Sequence, residues 1–216
     1  MLFRSDGGQP FGGVLRGADG TLYGTAGAYG TNNYGTVYSL SAPKTKGSSW
    51  GFTLLHAFTG GTDGSTPRDG LITDGTGTLF GTTAGFDNSQ GTVFKLTPPA
   101  PGKTAWKEQV LLRFNGQGFE GNGPWQTVGR DASGALYGTT YAVGKSAYGE
   151  VFKLTPPAPG KTKWKAKVLH VFQAGAGSQF PYSNVLVGTD GTLYGTTYGS
   201  AGQNGFYPGN VWAIAQ

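Results

Sequence analysis

Apolar residues along this chain come in short runs, never at the three-and-four spacing of an amphipathic helix. The runs are rich in aromatic and β-branched residues and are bounded by Gly, Pro, Asn or Asp, the pattern of strands joined by tight turns. Four strands recur in a fixed order. The first is exemplified by Gly70-Leu71-Ile72-Thr73. A glycine hairpin such as Asp19-Gly20 or Asp190-Gly191 leads into the second, a Leu-aromatic-Gly-Thr strand. The third is a Val-aromatic strand such as Val93-Phe94-Lys95-Leu96. A proline-rich bend, Thr97 to Gly102, then leads to the fourth, Lys107 to Phe114.

This order is a tandem repeat. Leu22-Tyr23-Gly24-Thr25 returns at Leu79, Leu136 and Leu193, each 57 residues after the last, and Pro10, Pro67, Pro124 and Pro181 keep the same register. A second motif follows each first one, at Gly35-Thr36-Val37-Tyr38, Gly91-Thr92-Val93-Phe94, Gly149-Glu150-Val151-Phe152 and Gly209-Asn210-Val211-Trp212. A third runs from Trp50 to Phe58, Trp106 to Phe114 and Trp164 to Phe172. Four strands in a repeat of roughly 40–50 residues is the pattern of a propeller blade, and a period of 57 suits a blade with long loops. The expected fold is all-β: a four-bladed β-propeller of about four antiparallel strands per blade, one domain over 1–216. Its repeats fall at approximately 4–58, 59–114, 115–172 and 173–216 plus 1–3. The opening Met1-Leu2-Phe3 aligns with the end of a fourth strand, and the chain ends after a third, at Val211 to Ile214. The N-terminal strand is therefore expected to complete the last blade and hide its edge, giving sixteen strands.

Composition narrows the class. Forty-one glycines without a three-residue period exclude collagen, and 13 Phe, 11 Tyr and 5 Trp supply a core that a disordered chain lacks. There is no cysteine, so thiolate chemistry, thiolate metal sites and disulfides are excluded. No stretch is long and apolar enough to span a membrane, and no apolar leader segment follows Met1 to Ser5. The net charge is +5, but ten of the eleven lysines fall on the third or fourth strand or the bend between them, where they protect exposed strands from pairing. Nucleic acid would call for arginines interleaved with aromatics along a groove, and is not expected as a partner.

The units resemble the GloVer-type tandem repeat of bacterial surface and secreted proteins. The matching elements are Leu-Tyr-Gly-Thr-Thr, Gly-Thr-Val-Phe-Lys-Leu-Thr-Pro-Pro and the Phe-x-Gly-Gly-x-Asp-Gly run at Phe58 to Gly64. The resemblance covers nearly all of the chain. It implies a propeller-like repeat and a secreted or cell-surface setting, and brings no catalytic motif.

In a propeller, the loops between strands two and three share one face with the loops between blades. The residues just after the repeating prolines, Phe11, Arg68, Trp125 and Tyr182, are therefore expected to ring the axis. Tyr34, Asn88, Tyr148 and Tyr207 come from the neighbouring loops, and these eight are the candidate ligand-binding residues. Aromatic rings pack on sugar C–H faces while amides bond hydroxyls, so the expected function is a non-catalytic binding module for polysaccharide or glycoconjugate, with no cofactor, acting as a monomer or dimer. Small-molecule ligands fit the same face. Two other readings stand beside it: a carbohydrate hydrolase or lyase with Asp69 and Glu120 as its carboxylate pair, and a structural or protein-interaction repeat of a larger surface protein. His56 and His170 share one repeat position on separate outer strands, which suits a structural role rather than a metal pair. No nucleophile elbow, phosphate loop or metal-ligand string is present.

Overall fold

Two facts of local chemistry fix each repeat: a turn that reverses the chain after the first strand, and a glycine that admits an aromatic ring in the second. At Gly17–Thr21 the turn closes with Gly17 N–H to Thr21 O (2.7 Å) and Gly20 N–H to Gly17 O (3.0 Å). The Asp19 carboxylate accepts from Thr21 N–H (3.0 Å) and Thr21 Oγ1 (2.8 Å). Gly188–Thr192 repeats every one of these bonds. In the second strand, a Cβ on Gly24, Gly81, Gly138 or Gly195 would meet the ring of Tyr38, Phe94, Phe152 or Trp212 at 2.2–2.7 Å. Each ring belongs to the residue directly paired with that glycine on the third strand. An ordinary strand glycine weakens a sheet. Here the cross-strand aromatic covers it.

A computed structural model describes residues 6–85, 91–114, 123–141, 148–173, 179–202 and 205–216, with backbone alone at 200–202 and 205–207. The described chain is all-β, in four antiparallel sheets and one extra hairpin, with no helix among the described residues. The first sheet runs β1 (Leu15–Arg16), β2 (Leu22–Ala26), β3 (Thr36–Ser41), β4 (Gly51–Ala57). The second runs β5 (Ile72–Thr73), β6 (Leu79–Thr83), β7 (Thr92–Thr97), β8 (Lys107–Arg113). The third runs β9 (Gly129–Arg130), β10 (Leu136–Thr140), β11 (Glu150–Thr155), β12 (Lys165–Val171). In the fourth repeat β13 (Leu186–Val187) and β14 (Leu193–Thr196) lead to a separate hairpin, β15 (Ser200–Gly202) with β16 (Gly205–Tyr207). β17 (Val211–Ile214) then pairs with β14. That hairpin occupies what the sequence reads as an irregular loop. The expected N-terminal strand lies outside the described residues.

The chain divides into two compact units, 1–110 and 111–216. In the two middle sheets the second and third strands, β6, β7, β10 and β11, are largely buried while the fourth strands, β8 and β12, are half exposed; β14 and β17 of the last sheet are half exposed as well. The phenylalanine that ends a fourth strand is buried against the third-strand aromatic of the next sheet. Phe58 meets Phe94 at 5.2 Å, Phe114 meets Phe152 at 5.4 Å, and Phe172 meets Trp212 at 6.1 Å, all edge-to-face. Around these contacts gather Val37, Leu71, Leu79 and Leu96 in the first unit, and Val151, Val185 and Leu193 in the second.

Candidate functional site

Three of the residues before the repeating prolines hold an unusual backbone. Gln9, Thr66 and Phe180 have φ of 57°, 57° and 56°, left-handed values that L residues with a Cβ rarely adopt. Such a conformation costs roughly 1–3 kcal/mol and is kept only where the surroundings over-determine it. Here they do. Thr66 N–H donates to Tyr34 O (2.8 Å) and Thr66 O accepts from Ala84 N–H (3.0 Å). Phe180 N–H donates to Tyr148 O (3.0 Å) and Phe180 O accepts from Tyr198 N–H (2.9 Å). The residue thus ties the two-to-three loop of one sheet to the second strand of the next. The proline ring that follows seats on a glycine, since a Cβ on Gly35 or Gly149 would meet Pro67 or Pro181 at 2.6 Å. This bracket aims the post-proline side chain.

In the first unit the bracket sets the Arg68 guanidinium over the Phe11 ring, 5.6 Å from its centroid, with Phe11 60% exposed. Tyr34 lies over Gly60, part of the loop between the first two sheets. Asp69 is half-buried and its carbonyl accepts from Thr25 Oγ1 (2.7 Å), which ties the two sheets together. In the second unit Trp125 stacks on Tyr141 at 4.4 Å and 12°. Tyr182 stands edge-on to both, at 6.0 and 5.7 Å. Phe180 packs on Tyr141 (5.3 Å) and Tyr148 (6.0 Å), and Tyr198 lies 5.9 Å from Tyr182. Tyr182 is 43% and Tyr198 69% exposed, so the cluster is open to water on one side. Burial raises the Tyr141 pKa, with Tyr182 and Tyr198 adding to the shift, so its hydroxyl stays a neutral donor. Of the other sequence-predicted residues, Asn88 and Glu120 lie outside the described residues, as does the side chain of Tyr207.

The family model described as the Gloeobacter/Verrucomicrobia repeat matches residues 49–215. The chain belongs to this repeat family. No curated protein matches it.

Within this Gloeobacter/Verrucomicrobia repeat the two units carry different chemistry on the same bracket. The first unit pairs one cation with one ring, and the second gathers six rings. Phe180 and Tyr198 escaped the sequence reading, although the signal was there. Gly27 and Ala84 of the first unit stand at the repeat position of Tyr141 and Tyr198, and Gln9 and Thr66 at that of Phe180. Reading each repeat position as a column exposes the enrichment. Glu150 was also missed as a candidate. It replaces the threonine of Thr36 and Thr92 and is only 5% exposed, the one buried carboxylate among the described residues. His56 and His170 both stand edge-on to the closing phenylalanines, 4.7 Å from Phe58 and 4.8 Å from Phe172. His56 also lies 3.3 Å from Asp63, which accepts from Thr59 N–H (2.9 Å) and so staples the loop between the first two sheets.

Proposed function

We propose that the chain is a non-catalytic module that binds polysaccharide or glycoconjugate outside the cell. Its ligand face is the aromatic cluster of Trp125, Tyr141, Phe180, Tyr182 and Tyr198, with Tyr148 behind it. The carrier we propose is a four-bladed propeller, on which Phe11, Arg68, Trp125 and Tyr182 share one face. The observation that supports the reading is the half-open aromatic shelf. Two of its tyrosines leave much of their rings in water although partners for burial lie within 6 Å. Aromatic rings held rigidly at the surface are what a sugar's C–H face stacks on, and the tyrosine hydroxyls bond its own hydroxyls.

The test is a titration of the full chain with soluble neutral polysaccharides, read by Trp fluorescence and calorimetry, after a glycan array has selected them. Tyr182→Ala with Tyr198→Ala is expected to weaken binding about tenfold per ring while barely moving the melting temperature. An array without hits, or a double variant that binds like the parent, contradicts the proposal.

A further inference from the structure

Each unit holds a second recess, at the end of its sheets remote from its own post-proline residues. The turn joining the first two strands of one sheet faces the same turn of the next, and a cleft opens between them. In the first unit it measures about 350 Å³ and is lined by Leu15, Arg16, Asp19, Tyr23, Thr73 and Leu79 among others. In the second it measures about 380 Å³, with Arg130, Asp131, Ser133, Val187 and Thr189 in its walls. Both fall within the roughly 300–1,000 Å³ usual for ligand sites. The second strands are five residues long, which separates the two ends of a sheet by about 15 Å.

The two clefts share their chemistry by register. Arg16 and Arg130 occupy one repeat position two repeats apart, and the intervening position is Thr73, then Val187, on the facing wall. One arginine therefore faces one small or apolar side chain in each cleft. Both arginines are exposed, and among the described residues neither forms an ion pair. The aspartates beside them stay ionised but take their hydrogen bonds from other donors than the arginines. Asp19 accepts the two Thr21 donors, and Asp131 accepts from Ala135 N–H (2.9 Å), Ser133 Oγ (2.7 Å) and Tyr137 OH (2.9 Å).

We propose that these clefts are a pair of matched sites for a sugar acid, a pyranose ring that carries a carboxylate. The guanidinium of Arg16 or Arg130 takes the carboxylate, for which its planar fork is shaped. The apolar wall, Leu15 in one cleft and Val187 in the other, lies along the ring's C–H face. Thr73 and Thr189 supply hydroxyl partners for the ring's own hydroxyls, and Ser133, whose proton goes to Asp131, can accept from one; a bare inorganic anion would leave these unused. This site is separate from the aromatic shelf and does not depend on it.

The test is calorimetry on the full chain with oligogalacturonate, with inorganic phosphate and neutral dextran as comparison probes. Arg16→Gln with Arg130→Gln is expected to raise the Kd for oligogalacturonate tenfold or more. Lys107→Gln with Lys167→Gln removes the same charge from exposed strands outside the clefts and is expected to leave it within twofold. Circular dichroism should match the parent in both. Unchanged oligogalacturonate affinity in the arginine variant overturns the proposal. So does an equal loss in the lysine variant, which would mean general charge attraction, and so does phosphate competing as well as the sugar acid. Any neutral polysaccharide bound at the aromatic shelf should be held equally by the arginine variant, so failure here is distinguishable from failure of the proposed function.

Discussion

Gly138 and Phe152 face each other across β10 and β11, and a Cβ on the glycine would meet the ring at 2.5 Å and Val128 at 3.1 Å. Both neighbours are buried, so neither can swing away. Gly138→Val is expected to cost roughly 1–3 kcal/mol or more, read as a lowered midpoint in urea; a neutral result would show that the ring can move aside. Glycine inside a strand often marks the close approach of a neighbouring element. The structure assigns the space to the aromatic of the same sheet, a pairing that only strand register reveals. His56 is a second residue-scale test. Burial lowers its pKa below the ordinary value of about 6.5, and Asp63 opposes the shift without reversing it. A lowered folded pKa means that the unfolded chain binds the proton more readily. The stability from neutral His56 is therefore complete above about pH 6.5 and declines as pH falls through that value towards the folded one. His56→Gln should flatten the fall in melting temperature as pH drops below about 6.5. An unchanged slope would remove His56 as its source.

At the scale of elements, the closing phenylalanine is the part that each sheet lends to the next. Phe58, Phe114 and Phe172 are all buried and all engage the following third strand. Phe114→Ala is expected to cost about 3–5 kcal/mol and to lower the thermal midpoint in calorimetry; a loss below 1 kcal/mol would mean that the site collapses around the gap. The second, third and fourth strands were legible because each is a short run of aromatic and β-branched residues that recurs from repeat to repeat with turn residues beside it. The first strands were harder. Only two residues pair in β1, β5, β9 and β13, too few for alternation to register. The β15–β16 hairpin was missed for another reason. Ser200-Ala201-Gly202 is small and polar, and nothing in its composition separates a strand from a loop. The post-proline positions were legible from the proline register alone. The left-handed bracket beneath them was not, since Gln9, Thr66 and Phe180 share a conformation but no side-chain chemistry.

On the scale of the whole molecule, each of two units carries its own bracketed face and its own hairpin-end cleft, repeated at a two-repeat interval. The second unit has most of the aromatic surface. β17 ends its sheet with Val211 78% exposed, and the sequence reading expects the opening segment to complete that blade. Deleting residues 1–5 is then expected to produce dimers or aggregates in size-exclusion chromatography with light scattering, and unchanged monodispersity and melting temperature would remove that closure. The central claim, that the aromatic cluster is a sugar-binding surface, is tested most directly by ring-resolved NMR. With Tyr and Trp rings labelled, a neutral oligosaccharide selected from the array is titrated into the full chain. The account predicts saturable shifts in the rings of Tyr182, Tyr198 and Trp125, with Tyr23 and Tyr38 of the other unit unmoved. Saturable binding that shifts Tyr23 or Tyr38 and leaves the cluster still would contradict it.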